Sequence, residues 1–137
     1  MDLVKHSLAL PYAVWLRSDG VVAYCLTGSH DAPVVPVFPS VDALIEADAL
    51  YRECSDWKAV TGKGLSESHR VRQRASTLTL IEEASGFTEW WWQGDGFRVH
   101  VWLTFAEVLR GGARWGVWSR DGDGEKHALA FLAQSRG

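Results

Sequence analysis

The chain has 137 residues, of which 47% are hydrophobic and 23% are charged, and this is the composition of a folded domain rather than of a disordered chain. We therefore expect a single domain over residues 1–137, long enough to bury roughly two thirds of its unfolded surface without disulfides or metal ions. The formal net charge of −3 is too small to indicate a nucleic-acid partner by itself.

Cys25 and Cys54 are the two cysteines of the chain. Their spacing matches neither a zinc site nor a disulfide framework, so we expect free thiols and no metal or other cofactor. The first residues place Asp2 where a secretory signal carries a base, and no window approaches the ~18 apolar residues of a membrane span. The expectation is a cytoplasmic protein without a membrane partner.

The first recognisable element is a β-hairpin with Asp19-Gly20 at its turn. The flanking segments, 12–17 and 21–27, are apolar on both of their faces. Strands with two apolar faces are typical of positions inside a sheet that is covered on both sides, and we expect that arrangement for this pair.

A long helix is expected over about residues 41–56. Ser40 is a preferred helix N-cap, and Asp42 lies in the first turn, where the helix dipole favours an acid. The preceding segment contains Pro36 and Pro39, and because proline cannot donate to a sheet ladder we expect an edge strand or a loop there. The apolar stripe of the helix is expected to pack on one face of the sheet.

Residues 61–74 form a basic segment, with four bases and one acid, whereas residues 1–60 contain four bases and eight acids. Arg70, Arg72 and Arg74 share one face if the segment is extended, and a helix scatters them. Arginines that grip phosphates beside tryptophans that stack on bases are features that hold single-stranded nucleic acids. Nucleic-acid binding is therefore one alternative function, and a solvated basic loop is the other interpretation of this segment.

The central feature is a tryptophan-rich hairpin over residues 89–103, with its turn at Gly94-Asp95-Gly96. Four of the eight tryptophans lie in this hairpin. Because side chains alternate along a strand, the hairpin has two distinct faces. One face is apolar and is expected to point into a core; it contains Trp90, Trp92, Phe97, Val99, Val101 and Leu103.

The other face of the hairpin combines aromatic and charged side chains. Tryptophan and arginine are enriched where binding energy concentrates, so we take five residues as candidate binding residues: Glu89, Trp91, Arg98, His100 and Trp102. The alternative is structural, with the long helix covering this face and His100 bonded to Glu89 in the interior. Glu89 could also orient His100 as a general base, but no nucleophile is recognisable, so no catalytic residue is assigned.

The last part of the chain predicts one helix and two strands. Thr104 begins a capping box and glycine follows Arg110, which together predict a short helix over about residues 105–110. Residues 114–119 and 127–133 are expected to pair as the final strands. The predicted fold is thus α+β, with a mainly antiparallel sheet of about seven strands, one long helix on a face and one short helix.

The sequence contains no recognisable catalytic, metal or nucleotide motif, so we do not predict an enzyme. The leading prediction is a non-catalytic protein that binds and inhibits a protein partner through the Trp/Arg face. A small, acidic, tryptophan-rich α+β protein is similar in class to the immunity proteins that neutralise bacterial toxins. The alternatives are a small-molecule-binding domain or small enzyme with a pocket lined by Trp91, His100 and Trp102, and a homodimer that buries the Trp face.

Overall fold

The computed structural model describes residues 12–26, 34–60, 68–102 and 114–134. These residues form an α+β fold with eight strands in two antiparallel sheets, which confirms the predicted class. The first sheet has the order β1-β2-β3 and consists of β1 (Tyr12–Leu16), β2 (Val22–Leu26) and β3 (Val34–Phe38). The strands therefore divide between two sheets rather than forming one.

The second sheet has the order β4-β8-β7-β6-β5. It consists of β4 (Lys58–Ala59), β5 (Thr79–Leu80), β6 (Glu89–Gln93), β7 (Phe97–Trp102) and β8 (Arg114–Ser119). The helices are α1 (Val41–Ser55), α2 (Ser68–Ala75), α3 (Gly122–Gln134) and a 3-10 helix (Glu82–Ala84). None of the helices in the described ranges has the length and apolar composition needed to cross a membrane.

Helix α1 is the predicted long helix, and its start has the predicted cap. The Ser40 side chain accepts a hydrogen bond from the backbone N–H of Ala43 at 3.1 Å, and Asp42 lies in the first turn. The inward face of α1 joins a core with the first sheet and one face of the second sheet. Its buried members are Val22, Tyr24, Val37, Phe38, Ala43, Leu44, Ala47, Cys54, Ala84 and Trp91.

A second core lies on the opposite face of the second sheet, beneath α2 and α3. It contains the predicted apolar face of the central hairpin. Its buried members are Val60, Val71, Ala75, Trp92, Phe97, Val99, Val101, Val117, Ala128, Phe131 and Leu132, with Trp90 partly buried beside them. The second sheet is thus covered on both sides, and Leu103 lies outside the described residues.

Residues 127–133 belong to helix α3, so the predicted strand there was wrong. A short apolar run is compatible with either state, and the capping group decides it. The Asp121 carboxylate accepts a hydrogen bond from the backbone N–H of Gly124 at 2.8 Å, which starts a helix where we expected a hairpin turn. Buried Ala128, Phe131 and Leu132 follow at helical spacing.

The first hairpin has the predicted turn, and the predicted burial on both faces holds for β2 but not for β1. Gly20 has a φ of 90° at the turn. β1 pairs with β2 alone among the described strands, and its side chains Trp15 and Leu16 are 55% and 65% exposed. β2 lies between β1 and β3, and its consecutive residues Val22, Ala23 and Tyr24 are buried, as predicted. The prediction was wrong for β1, because an edge strand leaves apolar side chains in solvent. β3 is an edge strand of the same sheet, as its prolines predict. The predicted helix at 105–110 lies outside the described residues.

The start of α3 packs directly on the turn of the central hairpin. Gly96 has a φ of 75°, and a Cβ placed on Gly124 would lie 2.0 Å from the Gly96 carbonyl oxygen. A methyl group does not fit at that distance, so the contact requires glycine at position 124. Gly122, two residues earlier in the same helix, has nothing within 4 Å of an added Cβ.

We expect Gly124→Ala to destabilise the protein by about 3 kcal/mol, because overpacking against backbone forces α3 away from the hairpin turn. Gly122→Ala is the matched control, and the lower entropy of its unfolded chain should make it neutral or stabilising by up to about 1 kcal/mol. Urea denaturation of both variants measures the difference. Equal stability of the two variants would contradict the packing contact.

The cap of α3 makes stability depend on pH. The backbone N–H of Gly124 holds the pKa of Asp121 below its ordinary value of 3.8, and the Arg120 guanidinium adds to that effect. A carboxyl group with a lowered folded pKa stabilises the fold above the ordinary pKa, and the contribution is lost as the pH falls through the folded pKa.

Asp121→Asn should therefore be less stable than the wild type at neutral pH, and the gap should close in acid. The urea denaturation midpoints of the wild type and the variant, measured across a range of pH, test this prediction. A difference between the two midpoints that stays constant with pH would refute it.

Candidate functional site

The five candidate residues of the central hairpin share one face, as the alternation predicts. Strands β6 and β7 pair Glu89 with Trp102, and Trp91 with His100. Arg98 lies opposite Gln93 on the same face. Residues directly opposite each other in an antiparallel pair have Cβ atoms about 5 Å apart, so these side chains meet.

The aromatic members of this face form a continuous stack. The imidazole of His100 is 4.1 Å from the ring of Trp91 at an interplanar angle of 8°, and 4.5 Å from the ring of Trp102 at 26°. Trp118 of β8 extends the stack, with its ring 5.7 Å from that of Trp91. We call these four residues the aromatic stack.

A glycine makes room for the fourth ring. Gly116 of β8 lies opposite His100 in the sheet, and a Cβ placed on it would come within 2.5 Å of the Trp118 ring. The absent side chain at this position lets the Trp118 indole lie flat over the strand. Sequence reasoning missed Trp118 because the pairing of β7 with β8 was not predicted.

The members of the aromatic stack differ in their exposure to solvent. Trp91 is 0% exposed and His100 is 7% exposed, whereas Trp102 is partly exposed. His100 Nε2 lies 3.0 Å from Glu89 Oε2, and both of these side chains are largely buried. The sequence left open a structural alternative, in which His100 bonds to Glu89 in the interior and the long helix covers this face. The observed arrangement corresponds to that alternative.

Two polar atoms of the aromatic stack have no hydrogen-bond partner among the described residues. They are His100 Nδ1 and Trp91 Nε1, and both are buried. Buried polar groups without partners cost on the order of 1–3 kcal/mol each, so the packing of the rings has to offset them. Because His100 is only 7% exposed, an incoming substrate has little access to its imidazole in this conformation.

Arg98 fixes the carboxyl-terminal part of α1 to the sheet. Its Nη2 lies 3.1 Å from Glu53 Oε1, and its Nε donates to Gln93 Oε1 at 2.9 Å. The guanidinium also lies over the Trp57 ring at 4.5 Å from the centroid, which is a cation–π contact. Burial raises the pKa of the neighbouring Cys54 thiol above its ordinary value of 9.0, and Arg98 opposes that rise. Through these contacts Arg98 links the end of α1 to the second sheet.

The three arginines of the basic segment lie on helix α2. They therefore do not share the common face that an extended strand would have given them. The Arg72 guanidinium stacks over the Trp90 ring at 3.7 Å, Arg74 donates to Gln134 of α3, and Arg70 is exposed. Helix α2 packs on the second core, on the opposite side of the second sheet from the aromatic stack. The structure therefore does not bring the arginines together with Trp91 and Trp102.

Sequence reasoning missed an acidic groove between the first half of α1 and the 3-10 helix. Its volume is about 440 Å³, and it is lined by Pro39, Ser40, Asp42, Ala43, Ile45, Glu46, Glu82 and Glu83. No described cation forms an ion pair with any of its four carboxylates. Asp42 and Glu46 at helical spacing, and the pair Glu82-Glu83, were visible signals. Their proximity was not visible, because it depends on how the 3-10 helix packs on α1.

No protein-family model matches the chain, and no curated protein and no solved structure matches it either.

We expect Trp91→Ala to destabilise the protein by about 3–5 kcal/mol, because a fully buried indole leaves a large cavity between α1 and the sheet. Trp15→Ala removes an exposed indole and is the matched control, with an expected cost of about 1 kcal/mol or less. Urea denaturation at low protein concentration gives both values. A small cost at Trp91 would show that the aromatic stack is not part of the core.

Proposed function

We propose that this chain is a non-catalytic protein-binding domain of the inhibitor type, which presents the acidic groove to a basic surface of a protein partner. The observation that carries the proposal is the set of four carboxylates around the groove, none of them paired with a described cation. Unpaired charge of one sign on a concave surface attracts a partner of the opposite sign and speeds its association.

The groove offers apolar contact as well as charge. Ile45 lines it and is 47% exposed, and Val41 of the same helix is exposed beside it. Protein interfaces combine apolar contacts with a polar rim, and this arrangement suits a partner with an apolar side chain among lysines or arginines. Small-molecule pockets are lined mainly by apolar and aromatic side chains, whereas half of the residues around this groove are acids.

The predicted Trp/Arg face has a supporting role in this proposal. Trp91 and Arg98 hold α1 on the sheet, and α1 carries Asp42, Ile45 and Glu46 on its outward side. A rigid helix loses less conformational entropy on binding, so this support favours affinity. On the Trp/Arg face, Trp102 remains partly exposed for direct contact.

The alternatives lack a comparable surface. A pocket lined by Trp91, His100 and Trp102 would require a ligand to reach Trp91 and His100, which are both buried. Single-stranded nucleic acid would meet Arg70 and Arg72 without the stacking partners that the sequence suggested. Cytoplasmic location and the similarity in class to immunity proteins remain expectations that accompany the protein-binding proposal.

Panning of a random peptide library on the immobilised protein tests the proposal. We expect the enriched peptides to combine lysine or arginine with apolar residues. The double variant Glu46→Lys/Glu83→Lys should weaken their binding at least about 10-fold in Kd, measured by fluorescence anisotropy, and moderate salt should weaken binding to the wild type.

Asp56→Lys is the matched control for this experiment. It reverses an exposed acid at the other end of α1 and should leave Kd within about twofold, because surface charges beyond the Debye length are screened. Enrichment of neutral or acidic peptides, or equal binding to wild type and double variant, would refute the groove as the binding surface.

A further inference from the structure

We propose that β1 is a strand-addition edge at which a second copy of this chain binds, antiparallel, so that two three-stranded sheets join across a two-fold axis. The inference is independent of the acidic groove. An antiparallel strand pair related by a two-fold axis uses the same edge of both copies, so one surface supplies both sides of the interface.

The described sheet edges differ in how they are protected. Natural edge strands are shortened, or carry lysine or proline, because unpaired backbone groups otherwise recruit another strand. β4 and β5 have two residues each, and β4 includes Lys58. β3 contains Pro36, and its Val37 carbonyl already accepts a hydrogen bond from the N–H of Phe87 at 2.7 Å.

β1 has none of these protections. It is a five-residue strand with the sequence Tyr-Ala-Val-Trp-Leu, and it has hydrogen-bonded strand neighbours on one side only among the described residues. A strand of this length, without charge or proline, is a surface to which another strand adds readily. The contrast with β3, β4 and β5 within the same molecule singles out this edge.

The exposure of Leu16, which lies on the same face of the sheet as a buried core residue, indicates that β1 lacks a neighbouring strand. Leu16 lies directly opposite Val22 and shares its face, yet Leu16 is 65% exposed whereas Val22 is 1% exposed. On the other face, Trp15 lies opposite buried Ala23 and is 55% exposed. The core therefore ends at β2, and an added strand beside β1 would extend both faces.

The edge suits a second copy because two antiparallel copies of β1 are self-complementary and no charge on the strand opposes their pairing. The strand itself carries no charge, so two antiparallel copies bring no like charges together. The charged residues that follow β1 in the chain, Arg17 and Asp19, pair with each other at 2.8 Å within the hairpin turn. Two five-residue strands with their side chains bury less than the ~1,200 Å² of a stable standard interface, so the expected dimer is weak and dissociates in the micromolar range.

Sedimentation velocity from low-micromolar to near-millimolar concentration tests the proposal. We expect the wild type to show a monomer–dimer equilibrium and Leu16→Lys to move its midpoint at least about 10-fold higher, because an edge lysine opposes strand addition. Leu129→Lys replaces an apolar residue on α3 that is 45% exposed, and as the matched control it should leave the equilibrium unchanged.

Hydrogen exchange of the wild type keeps the proposal testable if Leu16→Lys fails to fold. Protection of the β1 amides that rises with protein concentration supports the dimer. A wild type that stays monomeric at all concentrations, or a dimer whose β1 amides exchange equally fast at every concentration, overturns it. Protection of β1 that appears only with an added extended peptide would assign the edge to a foreign strand and overturn the homodimer.

Discussion

The burial of an imidazole between two indoles is the interaction on which this structure depends. His100 lies between Trp91 and Trp102, and its Nε2 meets the Glu89 carboxylate. Flat rings in contact exclude water from the middle of the second sheet and give α1 a firm surface to pack on. The histidine supplies a polar group that the neighbouring carboxylate can hold in one orientation, which leucine at this position could not provide.

The acidic side chains of the groove and the basic side chains of α2 lie on opposite sides of the second sheet, and the small net charge does not reveal this separation. The acids of the groove lie on α1 and on the 3-10 helix, and none of them pairs with a described cation. The arginines of α2 lie beyond the opposite face of the second sheet. A protein of net charge −3 can therefore present a strongly acidic surface in one direction. The packing of the helices on the two faces of the sheet produces this separation.

Local signals in the sequence were sufficient for some elements and insufficient for others. The cap at Ser40 and the alternation along residues 89–102 predicted α1 and both faces of the central hairpin correctly, because those signals act within a few residues. The run 127–133 was ambiguous between strand and helix until the contact of Asp121 with Gly124 decided it. Which face lay beneath α1 depended on contacts distant in sequence, so composition alone could not separate a binding surface from a core.

The close approach of Gly124 to Gly96 also has a consequence for the expected order of folding. Helix α3 rests on the turn of the β6–β7 hairpin, and the N–H of Arg120 donates to the Gly96 carbonyl at 2.9 Å. That docking surface exists only after the hairpin has closed. Because the hairpin closes a short loop and α3 joins across more than twenty residues, we expect local strand pairing to precede helix docking. The turn at Gly94-Asp95-Gly96 is thus the surface on which the carboxyl-terminal helix docks.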